Sequence, residues 1–281
     1  MLFYDWFAFF LILFLFAFLD RVIPTQGFGT HAHREFEIFS YSEFSRSCLP
    51  LPTFRAIADD EPNDHRVPPN PVLDGQLTHR DSLSNTEILK RGDLQMTSTG
   101  TGIRHSEFND NKTQGVHFLQ IWAMPNQRGL KPNYYTRHFS DEEKRGKLVH
   151  VVGPLGAEGV EDEREAKGAA PVHSWLGMWA SLLPTHQEVT HRISSAFNPA
   201  LSTGTHVKKV YIHLVQSSGY NTKASYTHAD AAKVEVTDGA GGVVVLGEGD
   251  GVFVDGGKEG DVVNVKSVGG REAEFVLFEM D

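Results

Sequence analysis

The sequence predicts an all-β chain of antiparallel barrel architecture, on three observations. Between Gly75 and Met124 short strand-like runs alternate with turn signals, among them Ser84-Asn85, Arg91-Gly-Asp93 and Asn109-Asp-Asn111. The pattern returns later as strands at Val207–Gln216, Ala231–Thr237, Val243–Leu246, Asp261–Val268 and Ala273–Glu279. Glycine turns at 239–242, 247–251 and 256–257 separate them, because glycine supplies positive φ. Third, Gly27-Phe-Gly-Thr-His31-Ala-His33-Arg-Glu-Phe-Glu37 and Gly100-Thr-Gly-Ile-Arg-His105-Ser-Glu107-Phe-Asn109 each set metal-binding side chains two apart. On a strand, residues i and i+2 project from one face.

Two such strands facing each other inside a small barrel would bring His31, His33, His105 and Glu107 to one point. Three imidazoles and one carboxylate suit Fe(II), Mn, Ni, Cu or Zn, with positions left open for water, dioxygen or substrate. A single His-x-His is more often a pair of surface histidines. The second pair, framed by glycines, is what makes a site of them.

The run Gln26–Tyr41, then Gly75-Gln-Leu-Thr-His-Arg-Asp-Ser82 and Lys90-Arg-Gly-Asp through His105-Ser-Glu107, resembles the pirin family of bicupins. Gln120-Ile-Trp-Ala-Met-Pro125 and Lys131-Pro132 continue the match, and Gly249-Asp-Gly-Val-Phe253 fits its second half. The resemblance covers residues 20–41 and 72–281. It implies two jelly-roll barrels side by side, the first metal-bearing and the second metal-free. It implies Fe(II) as the usual metal, with another divalent transition metal as the alternative, and the quercetin 2,3-dioxygenase activity that some members show. The substrate would be a small aromatic flavonol, with Glu107 as base as well as ligand and Glu37 as the backup base. A competing expectation from the same family is a metal- or redox-sensing transcriptional coregulator acting through a protein partner.

A length of 281 residues permits one large or two ordinary domains. The expected division is an apolar segment at 1–19, a metal-binding domain at 20–130, a connection at 131–180 and a metal-free domain at 181–281. A net charge of −10 argues against a nucleic-acid binder, which needs a basic face to neutralise phosphates. The single Cys48 excludes an intrachain disulfide and fits a reducing compartment, the cytoplasm or nucleus.

Residues Leu2–Leu19 are apolar at 17 of 18 positions, close to the ~18–20 that span a bilayer. Neither a basic n-region nor a small-residue cleavage site marks a signal peptide. A membrane anchor is one expectation. The preferred one is sequence standing in place of the family's first β-strands, through divergence or a misplaced gene start. Residues 42–71 hold 6 of the 13 prolines and read as an exposed or disordered insertion, since proline cannot donate to a sheet ladder. Its excision would join Tyr41 to Val72 in one hairpin.

Smaller readings complete the chain. Gln120 and Trp122 share a strand face, with Trp122 expected to pack in the core and Gln120 open between pocket and core. Arg104 would orient a substrate oxygen or form a structural ion pair. His79-Arg-Asp81 is similar to a kinase catalytic loop, but the rest of that signature is absent. Glu158–Lys167 is charged and reads as a solvated loop. The second half has His186, His191, His206, His213 and His228 but neither His-x-His nor His-x-Glu, so no metal is assigned there.

Overall fold

A computed structural model describes residues 15–44, 76–112, 115–201, 206–217 and 231–281. The first barrel uses β1 (Leu15–Val22), β2 (Gly27–His33), β3 (Glu37–Phe44), β4 (Leu77–Asp81) and β5 (Thr86–Leu89). It is completed by β6 (Asp93–Ser98), β7 (Ile103–Phe108), β8 (Val116–Ala123) and β9 (Asn133–His138). One helical turn, α1 (Asp141–Lys144), follows, started by a capping box in which Ser140 and Glu143 satisfy each other's backbone N–H. The second barrel holds β10 (Val149–Pro154), β11 (Ala170–Val172), β12 (Leu176–Leu183), β13 (Glu188–Arg192) and β14 (Lys208–Leu214). Then come β15 (Lys233–Asp238), β16 (Val243–Gly247), β17 (Gly251–Gly257), β18 (Val262–Ser267) and β19 (Ala273–Met280).

Each barrel is two sheets. The first pairs β1-β8-β3-β6-β9 with β2-β7-β4-β5, and the second pairs β11-β10-β12-β19-β14-β17 with β13-β18-β15-β16. Period-two burial explains the arrangement of the cores. On β3, Phe39 and Tyr41 are buried toward the other barrel with Met96, Ile121 and Tyr135, against Met178, Ala180, Val276 and Phe278. The largest apolar cluster therefore lies between the barrels. On β19 the alternate residues Ala273, Phe275 and Leu277 turn into the second barrel instead.

The all-β bicupin architecture agrees with the expectation, and several details correct it. Strand β1 takes up Leu15–Leu19 of the apolar segment and runs antiparallel to β8, Leu15 opposite Ala123. Residues 1–14 lie outside the described set, and among the described residues no helix is long and apolar enough to cross a membrane. Ser42–Phe44, expected to open the insertion, extend β3, while 45–75 are not described. The expected Tyr41 hairpin does not form. Tyr41 pairs with Leu94 and Leu119, and β4 belongs to the opposite sheet beside β5 and β7. Residues 131–180 are more than a connection, since β9 completes the first barrel and β10 to β12 build the second. The charged stretch 158–167 is an exposed loop, as expected, although its backbone is held at one place. Arg137, 3% exposed, donates to the carbonyls of Glu161, Arg164 and Gly168, and Arg164 reaches Asn85 and Glu87.

Candidate metal centre

Strands β2 and β7 are hydrogen-bonded neighbours in one sheet and do not face each other across the barrel as the sequence suggested. His31 stands directly opposite His105, with a register shift between Phe28 and His31. Gly27 fixes this pairing. A Cβ there would come within 2.3 Å of the Glu107 carbonyl and 2.6 Å of Phe108 Cα, so only glycine lets the strands close. Gly100, at φ +43°, likewise sits where a Cβ would strike the Leu130 carbonyl, and it turns the chain from β6 into β7.

Directly opposed cross-strand side chains and their diagonal neighbours lie within reach of one another. The ring centroids of His31 and His105 are 4.6 Å apart, those of His31 and His33 4.7 Å, and those of His33 and His105 4.8 Å. Two overlapping donor groups result, His31–His33–His105 and His79–His105–Glu107, each with its ligand atoms within 4.8 Å of one another. They share His105. Glu107 is thus joined to the predicted imidazoles through His105, and His79 is an addition the sequence reading missed.

Two of the imidazoles, His33 and His105, are prepared as neutral donors. Burial first, and the neighbouring His31 second, lower the His33 pKa to about 4. Burial, then His79, His31 and His33 lower His105 to about 3. Both rings are uncharged at neutral pH, the state that binds metals. The Nδ1–H of His31 donates to the Gly29 carbonyl at 2.7 Å, which leaves its Nε2 lone pair facing inward, 3.1 Å from His105 Nε2. Two nitrogens ~2.1 Å from one ion at a right angle would stand about 3 Å apart. His33 Nε2 is buried with no hydrogen-bond partner, as is His105 Nδ1, the ring nitrogen other than the one that meets His31. Orphaned buried ring nitrogens are costly unless something occupies them, so this donor set fits a transition-metal ion.

Around Glu107, 1% exposed, the bonds are neutral. Gln120 Nε2 donates to Oε2 at 2.7 Å, Gln95 Nε2 to Oε1 at 3.0 Å and Ser40 Oγ to Oε1 at 3.3 Å. The remaining predicted residues are placed elsewhere. Glu37 shares the inter-barrel face with Phe39, accepts from Ser98 Oγ at 2.6 Å and meets His173 Nδ1 at 3.5 Å. It belongs to a different strand and sheet from His31 and His33. Arg104 is exposed on the outer face of β7, one residue out of phase with His105. Trp122 is half-buried, edge-on to His33 at 4.8 Å, and beside Phe36 at 5.4 Å.

In the second barrel His191 binds Glu279 at 2.6 Å, and Glu279 also holds Lys208 at 2.6 Å. His213 is buried between the barrels near Tyr211, and His206 lies 3.8 Å from Asp281. His186 is exposed, and His228 falls outside the described residues.

Two antiparallel barrels, one carrying a convergent imidazole pole, define a bicupin fold with a candidate metal site. The comparisons with known proteins narrow this. The Pirin family model matches residues 70–123. Quercetin 2,3-dioxygenase of Escherichia coli K12 is 32% identical over 176 residues, 63% of this chain and 58% of that protein. The chain thus spans little more than half the length of that curated relative. The crystal structure of the bacterial pirin YhhW from Escherichia coli in complex with nickel(II) superposes with TM-score 0.61 at 24% identity, over 95% of this chain and 82% of that one. A quercetin 2,3-dioxygenase structure from Acinetobacter baumannii superposes at 0.55 with 18% identity, over 95% and 74%. The chain is thus similar to pirins over part of its sequence and shares the two-barrel fold of their solved structures.

Proposed function

We propose that this chain is a metal-dependent oxidoreductase of the quercetin 2,3-dioxygenase type, with His31, His33 and His105 holding a divalent ion and Glu107 completing the site. The observation that carries this reading is the pole itself, where three imidazoles, those of His33 and His105 held neutral, converge beside a buried carboxylate. The curated relative named quercetin 2,3-dioxygenase and the nickel(II) complex of a structural neighbour support it. Fe(II) is the metal we assign.

Bound there, the ion supplies Lewis-acid binding of a flavonol oxygen and access to dioxygen chemistry. The protein's own part is positioning and proton handling. Glu107 is the carboxylate beside the pole and would accept the flavonol hydroxyl proton. The half-buried Trp122 and Phe36 offer apolar faces beside the pole for a planar aromatic ligand. His105 and Glu107 are buried, while His31 and His33 are partly exposed and leave the pole open to an incoming substrate.

The test is loss of the quercetin absorbance band under air with Fe(II)-loaded protein. Turnover is expected, and Glu107→Gln should lower kcat by about 10²–10⁴-fold, the usual contribution of a positioned base. An iron-loaded chain that binds quercetin and leaves it intact refutes the assignment.

A further inference from the structure

Opposite Glu107, the facing sheet of the first barrel presents a cross-strand row. Gln95 of β6 is in register with Ser40 of β3, and Ser40 with Gln120 of β8. All three side chains donate to the one carboxylate, reaching across the barrel from separate strands. Their amides are oriented by further partners. Trp122 Nε1–H, which can only donate, binds Gln120 Oε1 at 3.0 Å and so turns the Gln120 NH₂ toward Glu107. Tyr134 OH donates to Gln95 Oε1 at 3.0 Å, and burial keeps that phenol protonated by pushing its pKa up. One hydrogen of the Gln95 NH₂ goes to Glu107.

The other goes to His79 Nδ1, 3.1 Å away. An amide NH₂ cannot accept, so Nδ1 must, and the proton of His79 sits on Nε2, facing Asp81 Oδ2 at 3.4 Å. Asp81 is itself fixed by the turn, accepting from Leu83 N, Asn85 N and Asn85 Nδ2. Both nitrogens of His79 are therefore engaged, although it lies within ligand distance of His105 and Glu107. Its ring stacks on Tyr134 with centroids 5.2 Å apart.

We propose that Gln95 and Gln120 are positioning residues that clamp Glu107 at the metal pole, and that His79 holds the clamp and is not a ligand. The proposal rests on reading the imidazole pole as a metal centre. Its test uses Co(II) as the probe on the full chain, with affinity measured by chelator competition and the site geometry by the visible d–d band. Gln120→Met and Gln95→Met keep side-chain volume and remove the donors. Each should weaken Co(II) binding about ten- to a hundredfold, as losing an outer partner of a ligand commonly does, and shift the band. With quercetin, kcat should fall more than KM rises, because the pocket wall is intact while the base is free to rotate.

His79→Asn keeps an acceptor for Gln95 and should hold Co(II) within a few fold of the parent. Trp122→Phe, a milder change at a half-buried site, should weaken Co(II) in the same direction as Gln120→Met. Unchanged affinity and band in both methionine variants overturn the clamp. Loss of Co(II) in His79→Asn as complete as in His105→Ala overturns the assignment of His79. A parent that binds Co(II) but leaves quercetin intact would refute the oxygenase alone, since affinity and spectrum report the clamp without chemistry.

Discussion

Inside the first barrel the apolar cluster among the described residues is Val22, Leu77, Leu89, Val116 and Phe118, and around Glu107 the barrel is lined by imidazoles, amides, a hydroxyl and the Tyr134 and Trp122 rings. Among the described residues the second barrel is filled by fifteen buried apolar side chains from both of its sheets, Val234, Val263, Phe275 and Leu277 among them. Polar groups appear there as a closed network, His191, Lys208 and Ser194 all bonded to Glu279. One fold thus serves two ends. The first barrel gives up interior packing for a site and gains its apolar support from outside, through the inter-barrel cluster, while the second is a self-contained core.

The comparison breaks most sharply at the metal. Replacing His31 and His105 by alanine should take bound transition metal from about one equivalent to nearly none, whereas His191→Ala should leave it intact. Elemental analysis of the purified proteins checks this. A full equivalent surviving in the double variant would place the ion elsewhere.

Stability should respond in the opposite sense. Leu277 is fully buried in the second barrel, so Leu277→Ala should cost about 2–5 kcal/mol while metal per folded chain stays constant. Chemical denaturation reads the first quantity and elemental analysis the second. A loss of metal in step with stability would mean that the barrels are coupled more tightly than their separate interiors suggest.

Between the barrels, acid should act through His213. Its burial lowers its pKa from 6.5 to about 4, so the unfolded chain takes up a proton at a higher pH than the folded one. Its contribution is present above pH 6.5 and is lost as pH falls toward 4, of order 3 kcal/mol across that window. His213→Gln should flatten this part of the stability profile. An unchanged slope would remove His213 as its source.

The smallest effect is expected at His173, whose pKa is raised chiefly by its hydrogen bond to Glu37. The sign is reversed here. The stabilisation is complete below the unfolded value of 6.5 and disappears as pH rises through the elevated folded value. The ring is partly exposed, so we expect less than about 1 kcal/mol, seen as a small drop in Tm above neutral pH that His173→Gln abolishes.

Much of the first barrel's chemistry was legible because strand alternation is a local rule. His31 with His33, and His105 with Glu107, needed only the period of two to share a face. The same rule, applied to Arg104, already places it outward. Glu37 lies away from His31 and His33 because between residues 34 and 36 the chain leaves one sheet for the other. Glu35, at φ +61°, marks that break. His79 and Asp81 form a third same-face polar pair at the spacing of the other two. That signal was available, and a superficial kinase-like match obscured it. Gln95 carried no mark at all, being one amide in a buried strand.

By itself the sequence determined the strand content, the two donor pairs, the glycines that let their strands meet and the family they resemble, since each depends on residues within a few positions of one another. Tertiary structure alone decided that the two motif strands are neighbours and not opposed, that the insertion's flanks lie in different sheets, and that Ser40, Gln95 and Gln120 converge on Glu107. The physical reason is register. Which side chain of one strand meets which of another is set by cross-strand hydrogen bonding and by the packing of whole sheets, and a pairing between positions 40, 95 and 120 leaves no periodicity in the chain.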